Sequence, residues 1–256
     1  MNLRILLLPL IIAPLSAATS LQVTAVADAT IYHRDGTYAY NSTNYGTATT
    51  IDAAQYGGGI WSMSYIRFDL SSIPAGATIT TATFQITQTG SNNVAGFPVS
   101  RSDTWTTGRF GSYGLLDVAG NTSQTWGETA ITGDSIGSEV VSGLNPQLDT
   151  TTRTIDFNSD TESKIDAVIS VTGTNLISFL QNRVDASTDT GFATLIVDYM
   201  EDATSSARGF TFVSRDDTSS GLLIPTLTVE YELVPEPSAA LLGGLGALGL
   251  LRRRRR

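Results

Sequence analysis

The stretch from Ser64 to Ile86, SYIRFDLSSIPAGATITTATFQI, decides the fold. Its first limb sends Ile66, Phe68 and Leu70 to one side and Tyr65, Arg67 and Asp69 to the other. Its second limb puts Ala82, Phe84 and Ile86 on one face, with threonines and Gln85 on the opposite one. An apolar residue at every second position is the repeat of a half-buried strand, because successive Cβ atoms alternate across a pleated backbone. Between the limbs SSIPAGA supplies a turn, with Pro74 presetting φ at its second position and Gly76 at its fourth.

Outward from this stretch the same signals recur. PTLTVEYE turns Leu227, Val229 and Tyr231 inward, and the nearly unbroken apolar run in GFATLIVDY reads as a central strand. One helix is predicted in TGTNLISFLQNRVDA, where Leu176, Ile177, Leu180 and Val184 share a stripe and Thr174 caps the free amides, a plug across one end of a sandwich. β-Branched residues, serine and glycine dominate and Lys164 is the only lysine, a composition that favours strands over long helices. From about Leu21 to Leu233 no repeat, long linker or charge run marks a second domain, so the prediction is one all-β sandwich with a single short helix.

Both ends read as addresses. Met1 to Ala18 carries Arg4, an apolar run from Ile5 to Leu15 and small residues at Ser16 and Ala18, the layout of a signal peptide cleaved after Ala18. Pro9 and Pro14 argue against a buried helix there. The apolar run Ala239 to Leu251 is shorter than the ~20 residues of an ordinary membrane span, so a short transmembrane helix is expected. Arg252 to Arg256 would stay on the cytoplasmic side, leaving the domain on the other. The expected division is residues 1–18, 19–233 and 234–256.

Pro235-Glu236-Pro237, a short hydrophobic helix and a basic cluster, in that order, resemble the PEP-CTERM sorting signal of Gram-negative bacteria. The resemblance implies a membrane-embedded exosortase as partner, with Pro235, Glu236 and Pro237 as the motif it reads. The competing reading is an uncleaved tail anchor on a stiff proline linker.

Charge and composition exclude several functions. Between the flanking segments nine basic and 23 acidic residues remain, a net charge of −14, which repels phosphate backbones and argues against nucleic acid. The absence of cysteine removes disulfides, thiolate metal sites and cysteine nucleophiles, and His33 is the only histidine. No Gly-x-Ser-x-Gly elbow precedes a helix, as a serine nucleophile paired with it would need. Asp35, Asp52, Asp69, Asp103, Glu128 and Asp134 lie in or near loops without forming a specific glycosidase signature. DFNSDTE spaces oxygens at Asp156, Asn158, Asp160 and Glu162, yet Thr161 and Ala167 stand where a calcium loop needs glycine and glutamate, so no metal ligand is assigned.

Sugar binding needs flat aromatic faces flanked by polar groups. HRDGTYAYNSTNYG offers Tyr38 and Tyr40, and QYGGGIWS offers Tyr56 and Trp61 around a glycine run; these four are the candidate glycan contacts. The alternative is structural: Tyr45 packed under a turn and Trp61 starting a core strand, with Trp105 and Trp126 as core anchors. An acidic glycan would further require Arg34, Arg67 or Arg101 to gather locally, or calcium to bridge the charges.

ADATIY, NSTNYGT and the Ser64–Ile86 stretch, followed by WGETAIT, VTGTNLISFLQNRVDASTDTGFATLIV and FVSRDDTSSGLLIPTLTVEY, resemble the DNRLRE-domain family. WGETAIT lacks the second tryptophan often found there, and SRDD stands where an acidic residue after Ser-Arg or Ser-Ser is usual. The resemblance implies a secreted jelly-roll β-sandwich related to carbohydrate-binding modules for acidic polysaccharides such as alginate. Jelly-roll modules often hold a structural calcium, which stays open here without ligands. Three readings follow: an exported, non-catalytic surface or matrix protein associated with extracellular polysaccharide; a lectin-like module with a defined glycan site; and, last, a polysaccharide-degrading enzyme.

Overall fold

A computed structural model of the chain describes residues 18–34, 42–56, 60–93, 109–116, 122–136, 157–158, 166–186, 191–200 and 208–233. Its elements are β1 (Ala18–Thr24), β2 (Ala27–Arg34), β3 (Thr50–Tyr56), β4 (Ile60–Asp69), β5 (Ala77–Asn93), β6 (Arg109–Gly114), β7 (Phe157–Asn158), β8 (Ala167–Thr172), α1 (Thr174–Asp185), β9 (Phe192–Met200), β10 (Arg208–Val213) and β11 (Thr226–Leu233). The strands form one antiparallel sheet in the order β1-β11-β5-β10-β3-β4-β9-β6-β7, with β2 added on β4 and β8 on β5. The expected signal peptide, except Ala18, and the tail from Val234 with its expected transmembrane helix lie outside the described residues.

The sheet curls so that β3, β5, β8, β10 and β11 pack over β4 and β9 as a sandwich. The alternation read in the sequence makes this possible. Ile66 and Phe68 of β4, with Leu70 just beyond its end, meet Ala82, Phe84 and Ile86 of β5 in the main core, joined there by Leu227, Val229 and Tyr231 of β11. Phe68 and Phe84 cross edge to face, with ring centroids 5.9 Å apart. β9 is central, between β4 and β6, and Ala193 to Val197 are buried on both faces.

The other face of β4 departs from the sequence reading. Tyr65 and Met63 lie in a second core with Ala27, Ala29 and Ile31 of β2, closed by Trp126, Ile131 and Ile136 from the irregular segment 122–136. Tyr65 and Trp126 pack edge to face at 6.1 Å. Arg67 joins this interior: its guanidinium lies 5.0 Å from the Trp126 ring and 4.8 Å from the Phe192 ring, and Nη1 donates to the Trp126 carbonyl at 2.5 Å. Aromatic faces and a carbonyl replace part of the water that this half-buried cation loses.

α1 closes one end of the sandwich. Leu176, Phe179 and Leu180 enter the main core, and Ile177 and Val184 pack against its margin. Gln181 fixes the helix to β5, accepting from the Ile79 amide at 2.7 Å and donating to the Ala77 carbonyl at 2.9 Å. Gly114 is required beneath it, because a Cβ there would lie only 2.2 Å from the nearest Phe179 ring atom.

Two local expectations shift by one residue. Thr174 is the first helical residue rather than the cap; Gly173, at φ 140°, holds the N-cap position without a side-chain bond. The turn hydrogen bond runs from the Ala77 amide to the Pro74 carbonyl at 3.1 Å, which makes Gly76, at φ 78°, the third turn residue. That position favours glycine because it needs a left-handed backbone.

Candidate functional site

The end of the sandwich opposite α1 gathers strand termini whose residues are far apart in sequence. Tyr56 of β3 pairs with Ile60 of β4, and Gln55 with Trp61. On the far side of β4, Arg34 lies opposite Ile60 and His33 opposite Trp61. On the far side of β3, Arg208 of β10 lies opposite Gln55, and β10 in turn sets Arg208 against Asn93 of β5. Neighbouring strands are about 4.8 Å apart, so Arg34, Tyr56, Trp61 and Arg208 occupy a span of roughly 15 Å across the end of the sheet, Arg34 and Tyr56 at the Ile60 register and Trp61 and Arg208 at the adjacent Gln55 register, which belongs to the alternate face. Arg109 of β6 ends its strand on the same side, opposite Met200 of β9. Tyr38, Tyr40 and Arg101 lie outside the described residues.

Trp61 is half-buried against the second core, so it starts a strand and reaches a partly accessible edge at once. Deeper along the same strands a polar floor holds β2, β3 and β4 together. The Tyr32 hydroxyl donates to the Asp52 carboxylate at 2.6 Å, and the Tyr45 ring packs on Tyr32 at 4.7 Å. The Asp52 amide donates to Thr30 Oγ1 at 2.9 Å, and the Ser64 hydroxyl donates to the Asp52 carbonyl at 2.7 Å. These side chains satisfy the Asp52 backbone where β3 parts from β4 and the ladder stops. Burial pushes the Asp52 carboxyl up against the opposing effect of the Tyr32 and Thr211 hydroxyls.

A second polar cluster was not assigned from sequence, although its segments were noticed as motifs. Asp28, in ADATIY, is 1% exposed and accepts from the Ser214 hydroxyl at 2.8 Å and the Arg215 amide at 2.7 Å. Glu128, in WGETAIT, accepts from the Asp28 amide at 2.8 Å and pairs with Arg215 Nη1 at 3.2 Å. Arg215 Nη1 also donates to the Val26 carbonyl. Asn44, in NSTNYGT, donates to the Glu128 carbonyl at 2.7 Å and the Ile131 carbonyl at 2.8 Å. Gly46 lies so close to the Glu128 carbonyl that any side chain would displace it. Burial raises the Asp28 pKa to about 6, outweighing its Arg215 and Ser214 hydrogen bonds, and the Glu128 and Asp216 carboxylates push the same way. The cluster ties four distant segments together and leaves these groups engaged with one another.

The described cations of the domain fall into two sets. Arg67 and Arg215 are held in the second core and the Asp28 cluster, and Arg183 Nε donates to the Phe192 carbonyl at 3.0 Å beneath α1. Arg67 is therefore not part of a surface cationic patch. Arg34, Arg109 and Arg208 stand at strand ends on the side of Tyr56. The described carboxylates singled out in the sequence are separate: Asp52 faces Tyr32, Asp69 accepts from the Ser71 amide, Glu128 belongs to the Asp28 cluster and Asp134 is exposed. Among the described residues no three acidic or histidine side chains converge as a cation site.

Two sequence families match. Carbohydrate-binding module family 96 matches residues 19–109, which run from β1 through β5 and contain Tyr38, Tyr40, Tyr56 and Trp61. The PEP-CTERM protein-sorting motif matches residues 233–256, which contain Pro235, Glu236 and Pro237. No curated protein matches the chain. The chain is thus similar to a carbohydrate-binding module over its first five strands and carries a sorting signal for export to the membrane or cell surface.

Proposed function

We propose that this is an exported, non-catalytic protein of the cell surface or extracellular matrix that holds polysaccharide at the Tyr56 end of its sandwich. The observation that carries this reading is the overlap between the carbohydrate-binding match and the strands β2, β3 and β4, whose termini bring Arg34, Tyr56 and Trp61 to one edge. An aromatic edge beside arginines suits a polysaccharide with carboxylate or sulfate groups: rings stack on the sugar C–H faces while guanidiniums pair with the anions. In a domain of net charge −14, cations collected at one end lower the repulsion an anionic chain meets there. Export and surface association follow from the sorting segment, with exosortase as the processing partner.

The test is affinity electrophoresis of the exported protein through gels containing acidic or neutral polysaccharides, with the same mixtures assayed for new reducing ends and unsaturated products. Retardation without product is the expected result. Product formation would overturn the non-catalytic reading, and unaltered mobility across the panel would overturn polysaccharide binding.

A further inference from the structure

The two segments that direct this chain to the membrane leave the domain from one corner. Ala18, where the signal peptide joins β1, lies opposite Glu232 of β11, and Leu233, where the sorting segment begins, lies opposite Ala77 of β5. The Ala77 carbonyl accepts the Gln181 hydrogen bond, so this corner belongs to the end of the sandwich closed by α1. β5 runs from Ala77 there to Asn93, opposite Arg208, at the Tyr56 end. At about 3.3 Å per residue, β5 separates the two ends by roughly 50 Å of strand.

The connection to the apolar run is short. Val234 to Ser238 separate Leu233 from Ala239, and a chain spans at most ~3.6 Å per residue, so the last sheet residue is within roughly 20 Å of the hydrophobic segment. Pro235 and Pro237 restrict the linker further, since each fixes φ. This spacer is shorter than the domain is tall.

We propose that, while its tail is embedded, the domain stands on the bilayer by its α1 end, with Ala18 and Leu233 toward the headgroups and the Tyr56 end directed away from the membrane. The part concerning glycan presentation rests on the proposed function; the orientation itself does not. Such a posture puts the polysaccharide edge outside the headgroup layer before the sorting enzyme acts. It also leaves the Pro235-Glu236-Pro237 motif beneath the folded domain, next to a membrane-embedded processing enzyme.

The cysteine-free chain permits a direct test. Thr78→Cys at the exposed α1 end and Tyr56→Cys at the other end are labelled with a donor fluorophore in the full chain, purified with its tail from a host lacking the sorting enzyme. Each is reconstituted in phosphatidylethanolamine–phosphatidylglycerol vesicles carrying an acceptor on a headgroup. Energy transfer from the Thr78 label several-fold above that from the Tyr56 label is the expected result. Equal transfer, or stronger transfer from the Tyr56 label, would overturn the orientation. Because this readout needs no glycan, failure to bind polysaccharide would leave it unchanged.

Discussion

Asp28 and Ser214, 186 positions apart in the chain, share a 2.8 Å hydrogen bond in the buried joint between the start of β2 and the loop after β10. The same carboxylate takes the Arg215 amide, and through Glu128 the joint reaches the segment that closes the second core. Residues from four sequence motifs thereby meet in a structural role, away from the strand ends assigned to polysaccharide.

Removing this acceptor should destabilise the domain without moving the binding edge. At about pH 4, where the buried carboxyl is protonated, Asp28→Ala strands the Ser214 hydroxyl and the Arg215 amide, an expected loss of about 2–3 kcal/mol, or roughly 5–10 °C in Tm for a domain of this size. Thermal unfolding measures it; an unchanged Tm would contradict the role of the joint.

The same residue gives a pH dependence of defined sign. Its folded pKa is raised from 3.8 to about 6, so the folded state holds the proton more tightly than the unfolded one. Its contribution to stability is fully present below the unfolded value and is lost as pH rises through about 6. At about 1.4 kcal/mol per pKa unit the contribution is on the order of 3 kcal/mol. Asp217, lowered to about 2 by hydrogen bonds from Ser220 and Ser219, contributes stability that is present above its unfolded value and is lost only as pH falls toward about 2. In denaturant unfolding between about pH 4 and 7, Asp28→Asn should gain on the parent protein as pH rises. The opposite trend would contradict the raised pKa.

Packing under α1 offers a third test. Gly114→Ala places a methyl group in the space of the Phe179 ring and should cost about 1–3 kcal/mol by overpacking. Combining it with Phe179→Leu should recover part of that loss, read as a coupling energy in a double-mutant cycle. Strict additivity would show that the two sites do not press on each other.

The sandwich was legible where one face of a strand is buried and the other is not, as in Phe84 and Gln85. It was less legible on β4, where Arg67 and Tyr65 occupy the alternate positions that usually meet water. Their cover comes from residues 122–136, which have neither strand nor helix periodicity, so Trp126, Ile131 and Ile136 carry no pattern that reveals a second core. The helix stripe was recognisable from Leu176 and Leu180, but Thr174 and Gly173 are one position apart, and cap choice turns on a backbone angle that side-chain pattern does not encode. Tyr56 and Trp61 were visible as aromatics beside a glycine run. Their neighbour Arg208 was not, because only the β3–β10 register brings it opposite Gln55.

The sorting segment has its own consequence. Glu236→Ala should block processing in the native host, and intact-mass analysis should then find Arg252–Arg256 retained in the variant and absent from the parent protein. Retention of the arginines in the mature parent protein would contradict processing by a sorting enzyme.

The central claim is that the Tyr56 end of the sandwich holds polysaccharide. Its most direct measurement is affinity electrophoresis in acidic polysaccharide, comparing the parent protein with Tyr56→Ala, Arg208→Ala and, at an exposed position outside that edge, Leu223→Ala. The expected result is retardation of the parent and Leu223→Ala proteins, weakened several-fold in Tyr56→Ala and Arg208→Ala variants with unchanged Tm. Equal retardation of all four proteins, or of none, would contradict it.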